Sequence, residues 1–512
     1  MITKTLMLTA VMTALLSAVS AGTKPNVIVI LADDLGYADV GFHDVVAPDG
    51  VCTPSLDSLA ESGAVFRNAY STSPICSTSR LGLSTGRYHQ RWGGYYYGEG
   101  GVPTAEQTIA EMMKEAGYAT MKVGKTHLNK GPKAHPLDHG FDHYLGFEHH
   151  SWDFNLLSEK DVAAYERKQK GSSKKMRNIG VGPLTRDKGK ESFENTTTTE
   201  VFGIESVKFI NDNKDKPFYL QLEFNAVHTP LYKAPDQLEE KYGIPHLEFD
   251  RDAAVWELPY WDPNSEMDYE EWYHKYNHMV VMDPYGRKVY LAHLELMDQM
   301  IGQIMETLKK NGLDENTFIF FSSDNGGSNQ SYANNGDLNL WKYCLMDGGI
   351  KVPMVVSWPA GFKPTQIDAA VTHRDIFATL SEITGVAPKN ELDGKSLLPL
   401  INGEVDELHT EPLLWDSGPK QQNWVVRDGD WKLVYRKKLR SYRTYELDAQ
   451  GVATQFVTNK MATGLQLYNL AEDPGERQNL LDQYPEKVAA MEKSYTEWRA
   501  QMSDPIQGHK AK

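Results

Sequence analysis

Two acidic segments and one cysteine segment could together hold a divalent cation beside a reactive sulfur. Asp33 and Asp34 follow directly on the apolar run Asn26-Val27-Ile28-Val29-Ile30-Leu31-Ala32. In an open α/β sheet, ligands bind beyond the carboxyl ends of strands. Two adjacent carboxylates there repel each other unless a cation lies between them; the ordinary alternative is an aspartate-rich turn or helix cap. Asp324-Asn325-Gly326-Gly327 follows a second apolar run, which ends at Phe321. Alone it reads as an Asn-Gly turn. If both runs are parallel strands, Asp33, Asp34, Asp324 and Asn325 project at one sheet edge and offer only hard oxygen donors. That set suits calcium, with magnesium as the alternative, and does not suit zinc, which prefers nitrogen and sulfur.

The third segment is Ser73-Pro74-Ile75-Cys76-Ser77-Thr78-Ser79-Arg80, followed by Leu81-Gly82-Leu83-Ser84-Thr85-Gly86-Arg87. A cysteine at a helix start, with Arg80 one turn on, is expected to have a lowered thiol pKa. The competing reading is a cysteine packed at a helix start. Lys125, Lys342, His127 and His228, taken singly, read as surface charges and ordinary polar or core histidines.

The elements that must position these residues alternate. Asn26–Ala32 is the mark of a strand buried on both faces. Thr53-Pro54 opens a short helix with Leu56, Leu59 and Ala60 on one face, stopped at Gly63. Thr104 to Gln107 is expected to form a capping box, with Ile109, Met112, Met113 and Ala116 continuing the helical stripe to Gly117. Segments 119–123, 218–224, 317–321 and 354–357 are strand candidates, 288–311 is a long amphipathic helix, and 373–384 is a helix ended by Gly385. This alternation predicts an α/β fold with a large, mostly parallel sheet covered by helices on both faces. The tail differs. Trp424–Arg427, Asp428-Gly429 and Trp431–Tyr435 read as a hairpin, Leu465–Leu470 as a strand, and Pro485 to about Met502 as a helix. A smaller C-terminal α+β subdomain with an antiparallel sheet is therefore expected. The expected divisions are 1–21, 22–405 and 406–512, with 149–200 as a polar, partly irregular insertion.

Bulk properties narrow the partners. The 512 residues are 40% hydrophobic and 24% charged, with ample material for a large core. Lys4, the apolar stretch 6–19 and Val19-Ser20-Ala21 read as a cleaved export signal, which implies a secreted or periplasmic protein. No later stretch looks transmembrane. The net charge is −16, and cleavage after residue 21 removes only Lys4, leaving −17. Such a surface disfavours nucleic acid and anionic membranes. Within this acidic chain Arg167–Lys190 is basic, as a solvated loop or a contact to an anionic polymer. With only Cys52, Cys76 and Cys344, at most one disulfide can form, and an odd cysteine in an exported chain needs a chemical reason.

The cysteine segment resembles the signature of the type I sulfatases, within the alkaline phosphatase superfamily. That signature is cysteine or serine, any residue, proline or alanine, a small residue and arginine, followed at fixed distance by Thr-Gly-Arg. Cys76, Ser79, Arg80, Thr85, Gly86 and Arg87 fit it. Thr78 departs from it, because proline is expected there; the departure bears on maturation of Cys76, not on the fold. Other segments resemble the family in order and spacing: Asn26–Asp34, Gly124-Lys125-Thr126-His127-Leu128 (Thr126 replacing a tryptophan), Lys216–Phe218 through His228-Thr229-Pro230, and Ser323–Gly326. Lys342 with Asp347–Pro353, Tyr468–Leu470, and Asp473–Glu476 with Asn479-Leu480 complete the set.

The resemblance implies a calcium ion on Asp33, Asp34, Asp324, Asn325 and residue 76. It also implies that a separate maturation enzyme oxidises Cys76 to formylglycine. The hydrated aldehyde would attack sulfur, with Asp324 as proton acceptor. Lys125 and Lys342 would hold the sulfuryl oxygens, and Arg80 would orient the diol. His228, with Lys342, would protonate the departing alcohol, and His127 would collapse the intermediate. Export and the aromatics Trp92, Tyr95, Tyr96, Tyr97 and Trp152 point to a sulfated carbohydrate substrate, although each aromatic also suits core packing. Two alternatives stand beside this reading: a phosphoester or phosphonate hydrolase on the same fold, and a glycan-binding homologue whose Cys76 is never converted.

Overall fold

Strand β1 (Asn26–Ala32) is buried along its whole length. Ile28, Ile30 and Ala32 join one apolar cluster, and Val27, Val29 and Leu31 join another. A strand covered on both faces has no polar side to show, which is why its sequence is continuously apolar. The computed structural model describes residues 24–43, 50–96, 101–128, 134–148, 156, 182–194, 196–229, 234–244, 285–437, 441–449 and 451–506. The export segment and most of 149–181 and 245–284, with Tyr97, Trp152 and Asn195, lie outside the described residues.

The strands after β1 are β2 (Gly63–Phe66), β3 (Ala69–Tyr70), β4 (Ala119–Lys125), β5 (His143–Phe147), β6 (Leu184–Arg186), β7 (Gly189–Glu191), β8 (Phe218–Glu223), β9 (Thr317–Ser323), β10 (Met354–Ser357), β11 (Thr365–Ile367) and β12 (Val371–Thr372). Ten of them with β1 counted form one sheet, in the order β11-β2-β10-β9-β1-β8-β4-β5-β6-β7. Its centre, β9-β1-β8-β4-β5, is parallel throughout. Met354–Ser357 runs antiparallel to both of its neighbours. The end of the expected irregular insertion instead adds the β6–β7 hairpin to the sheet edge.

One face is covered by helices Pro54–Glu61, Thr198–Asn213 and Gly286–Lys310, through Leu59, Phe209 and Ile301 among others. The other is covered by Cys76–Thr85, Ile109–Glu115 and Asp375–Thr384, through Leu83, Met112 and Leu380. The capping box of Ile109–Glu115 is Thr108 with Glu111, and not Thr104 with Gln107. Gln107 is still in the approaching loop, where its N–H donates to Asn390 Oδ1 at 2.9 Å.

In the tail, β13 (Leu413–Asp416), β14 (Asn423–Asp428), β15 (Trp431–Arg436) and β18 (Gly464–Asn469) form an antiparallel sheet. Strands β16 (Ser441–Leu447) and β17 (Ala453–Lys460) pair as a hairpin that the sequence pattern does not announce. Helix Pro485–Arg499 packs Val488, Met491 and Trp498 onto Leu414, Val426 and Leu433. The tail is tied to the large sheet's domain by Trp415 Nε1 donating to Ser71 O (2.9 Å) and Gln90 Nε2 donating to Asp416 O (3.0 Å). All three cysteines are free thiols. Among the described residues, no helix is long and apolar enough to cross a membrane.

Candidate active site

Parallel pairing of β1 and β9 sets Ala32 level with Ser323, so Asp33 and Asp324 leave the sheet side by side. The Asp324 N–H donates to Ala32 O at 3.0 Å, and the Asp33 N–H to Ala226 O at 2.9 Å, at the exit of β8. Asp34 has φ +63°, and its N–H donates to Asp324 Oδ1 at 3.2 Å. The left-handed region is unfavourable for most residues and is tolerated by aspartate, so the turn holds both carboxylates at the strand tip. Asn325 Nδ2 donates to Asp34 Oδ1 (2.7 Å), which commits its nitrogen and leaves its oxygen for another partner. Gly326 must be glycine: a Cβ there would meet Gly348 O at 2.1 Å.

Cys76 is the first residue of helix Cys76–Thr85, whose cap residue Ile75 offers no side-chain hydrogen bond. The helix therefore presents unpaired N–H groups and positive dipole at residue 76. Cys76 Sγ and one carboxylate oxygen each of Asp33 and Asp324 lie within 4.8 Å of one another; Asp33, Asp34 and His228 form an overlapping group. The expected lowering of the thiol pKa does not occur. Burial pushes the Cys76 thiol up, outweighing Lys125 and Lys342, while Asp33 and Asp324 add to the rise. Arg80 gives its hydrogen bonds to carboxylates instead of to the thiol. Its Nε and Nη2 donate to Asp324 Oδ2 (3.0 and 2.7 Å) and its Nη1 to Glu223 Oε2 (2.5 Å). As a free thiol, Cys76 is a poor nucleophile here.

Two lysines enter from different elements, one from a strand and one from a loop. Lys125 ends β4 and donates to Asp33 Oδ2. Gly124 beside it has φ +101°, and a Cβ would collide with Glu223 O at 1.9 Å, so glycine is what lets β4 approach β8 here. Lys342 lies 2.7 Å from Asp34 Oδ1 and donates to Asp34 Oδ2 at 2.9 Å. Its loop is pinned by the Lys342 N–H on Gly327 O (3.0 Å) and the Tyr343 N–H on Pro74 O (2.8 Å), which draws it against the Cys76 segment.

His228 Nε2 is 3.5 Å from Asp34 Oδ2, and its Nδ1 donates to Thr229 O. Burial first, then Lys342 and Lys125, push its pKa down to about 3, against the pull of Asp34. With Nδ1–H committed to a carbonyl, the neutral ring turns a lone pair on Nε2 toward the carboxylates. His127 is buried two residues beyond Lys125, with φ +44°.

Glu223 and Lys122 escaped the sequence reading. Glu223 Oε2 meets Lys122 Nζ at 2.9 Å as well as Arg80, and both side chains are 1% exposed. A signal existed, since Lys122 lies within β4 and Glu223 ends β8, both central strands of the sheet, and ionisable residues there are almost never buried unpaired. Of the aromatics that suit either sugar stacking or core packing, Tyr95 takes the packing role: it is 1% exposed and donates through its hydroxyl to Ser503 O at 2.8 Å, a contact to the tail. Trp92 packs against Leu81, Val102 and Leu128.

The donor set fits a hard divalent cation. Asp33 Oδ1 and Asn325 Oδ1 are buried and have no hydrogen-bond partner among the described residues. An orphaned buried acceptor costs about 1–3 kcal/mol. Two of them on residues that adjoin Asp34 and Asp324 are the expected mark of an oxygen-ligated ion. Asp324 has its pKa raised by burial first and by Asp33 next, against Arg80, Lys125 and Lys342.

The comparisons with known proteins agree with this geometry. The sulfatase family pattern matches residues 25–386, and the C-terminal pattern of N-sulphoglucosamine sulphohydrolase matches 339–462. The chain is 27% identical to dog (Canis lupus familiaris) N-acetylgalactosamine-6-sulfatase, over 90% of this chain and 83% of the relative. It is also 27% identical to the N-acetylgalactosamine-6-O-sulfatase of Bacteroides thetaiotaomicron, over 91% of each. The crystal structure of Ps i-CgsB in complex with k-i-k-neocarrahexaose matches with TM-score 0.74 and 28% identity, over 96% of both chains. Fold and site define an enzyme of the alkaline phosphatase superfamily. Within it this chain belongs to the sulfatase family, whose members hydrolyse sulfate esters.

Proposed function

We propose that this chain removes sulfate from a sulfated carbohydrate, using formylglycine made from Cys76 and a calcium ion held by Asp33, Asp34, Asp324 and Asn325. The observation that carries the reading is the meeting of Cys76, Asp33 and Asp324 within 4.8 Å, beside two orphaned oxygens, at the tips of strands far apart in sequence. The carbohydrate part rests on the relatives named for N-acetylgalactosamine sulfate and on the neighbour bound to a carrageenan hexaose.

A bound calcium would supply charge to polarise the sulfuryl oxygens and to acidify an oxygen nucleophile. Formylglycine, when hydrated, would supply the two hydroxyls that cysteine lacks. The chain's own residues do the rest. Lys125 and Lys342 provide fixed positive charge for sulfuryl oxygens in a site from which water is largely excluded. Asp324 accepts the proton released at residue 76, and its raised pKa suits it to hold one. His228 Nε2 becomes protonated once an anionic sulfate lies against Lys125 and Lys342, which otherwise oppose its charge, and then donates that proton to the leaving oxygen. His127 serves as base for the final release. Export to the periplasm or beyond would place the enzyme where such polymers occur.

The test begins with the chain co-expressed with a formylglycine-generating enzyme. Mass spectrometry of the Cys76 peptide should show an aldehyde despite Thr78, and the protein should release sulfate from sulfated galactosamine or carrageenan oligosaccharides. A free thiol after co-expression would favour the unconverted glycan binder. Turnover of phosphate or phosphonate esters above sulfate esters would favour the phosphoester reading.

A further inference from the structure

The buried pair Glu223 and Lys122 has no place in the reaction above, yet it touches the site through Arg80. We propose that Glu223 is a positioning residue that sets the affinity of the strand-tip site for its divalent cation, by sharing the Arg80 guanidinium with Asp33 and Asp324. The inference rests on the cation reading just given.

Arg80 is a fork between two sets of carboxylates. Its Nε and Nη2 hold Asp324 Oδ2 at 3.0 and 2.7 Å, and Nη2 is 3.7 Å from Asp33 Oδ2. Its Nη1 faces the other way, 2.5 Å from Glu223 Oε2, which also takes Lys122 Nζ at 2.9 Å. Gln221 Nε2 donates to the second oxygen, Glu223 Oε1. The cluster joins Arg80, Lys122, Lys125 and Lys342 to Asp33, Asp34, Asp324 and Glu223, four cations against four anions.

A guanidinium on Asp324 and Asp33 competes with a metal ion for those carboxylates. Glu223 weakens that competition by drawing one end of the fork away and neutralising part of its charge. Without Glu223, Arg80 acts on the metal carboxylates alone, and Lys122 becomes a second uncompensated cation in a medium that screens poorly. Partners one step removed from a metal typically change its affinity 10–100-fold. The sign depends on charge. Removing Glu223 weakens cation binding, and removing Lys122 strengthens it.

The experiment is calorimetric titration of CaCl2 into chelator-treated full-length protein, with folding followed by near-UV circular dichroism. E223Q keeps the oxygen that Gln221 bonds and is expected to bind calcium about tenfold or more weakly. K122M is expected to bind more tightly than wild type, and K122M/E223Q to return to within about threefold of wild type. A folded E223Q with unchanged affinity overturns the proposal. So does a double variant as weak as E223Q, because a packing role would not be rescued by removing a charge. If E223Q does not fold, K122M alone decides: affinity unchanged or weakened overturns the proposal. A wild-type chain that binds neither calcium nor magnesium defeats the cation reading and this inference with it. Wild-type binding with E223Q unchanged defeats this inference alone.

Discussion

Among the buried charge clusters of the described residues, one lies at the strand tips and another where the tail meets the large sheet's domain. In the second, Lys432 Nζ is bracketed by Asp347 Oδ1 at 2.6 Å and Glu476 Oε1 at 2.7 Å. Tyr70 donates its hydroxyl to Asp347 Oδ2, and the Asp347 N–H donates to Glu476 Oε2, both at 2.8 Å. Each carboxylate oxygen of that knot lies beside a cation or a donor of the protein itself, although Glu476 Oε1 meets Lys432 as an ion pair without a hydrogen bond. The strand-tip cluster does not close in this way, since Asp33 Oδ1 and Asn325 Oδ1 have no such partner. The contrast separates charge used for joining from charge used for binding. A structural knot completes its own coordination, whereas a site leaves the space and the oxygens for something to come.

The sharpest way to break that comparison is at residue 76. C76A, co-expressed with the maturation enzyme, should release sulfate at least about 10⁴-fold more slowly than matured wild type, the scale on which nucleophile loss is felt, with thermal unfolding nearly unchanged. Retained turnover, measured as free sulfate, would mean that the strand-tip cluster is not the reacting one. Next in size is the knot. K432M strands two buried carboxylates and should destabilise by about 3–5 kcal/mol in urea titrations, with sulfate release per folded molecule preserved. Lost turnover in folded K432M would erase the distinction between joining and binding.

A smaller effect sharpens the same contrast. Calcium at about a hundredfold above its Kd should stabilise the wild type by about 2.7 kcal/mol, and K432M by the same increment. D33N should gain little. Equal stabilisation of D33N, seen as an equal rise in Tm, would place the ion elsewhere.

The smallest concerns pH. Burial above all raises the Glu476 carboxyl from its ordinary 4.5, and Asp347 adds to the rise, against Lys432. Burial likewise opposes ionisation of Asp347, but Lys432, Lys351 and Arg427 hold its carboxyl below the usual range. A raised folded pKa means that the folded chain binds the proton more tightly than the unfolded chain does. The stabilisation from Glu476 is therefore complete below about pH 4.5 and declines as pH rises through the raised value. Asp347 acts in the opposite direction at lower pH. E476Q should flatten the fall in stability above pH 5, measured by urea unfolding; an unchanged slope would show that other groups cause it.

Much of this was legible along the chain. Asn26–Ala32 announced a strand covered on both sides, because seven apolar residues leave no polar face to expose. Cys76 to Arg87 gave the family, and the apolar runs before Asp33 and Asp324 gave their common position at the strand tips. The capping residue was misplaced by one turn, since Thr104 and Thr108 both suit a cap and only the path of the loop chooses between them. The Cys76 pKa was read with the wrong sign. Helix position and Arg80 are visible in sequence, but the burial that outweighs them is not. Sequence leaves Tyr95 open between sugar platform and core residue, because an aromatic's exposure depends on what a distant tail lays over it.

The order of residues by itself determined which groups stand at the ends of apolar strands and which cysteine precedes an arginine by one helical turn, because strand and helix periods are local. Only the tertiary structure decided who pairs with whom. Glu223 reaches Arg80, 143 positions away, because β8 lies between β1 and β4 with Glu223 level with Leu31 and Gly124. Strand order and register are collective properties of the folded sheet, and buried charges take their partners from them.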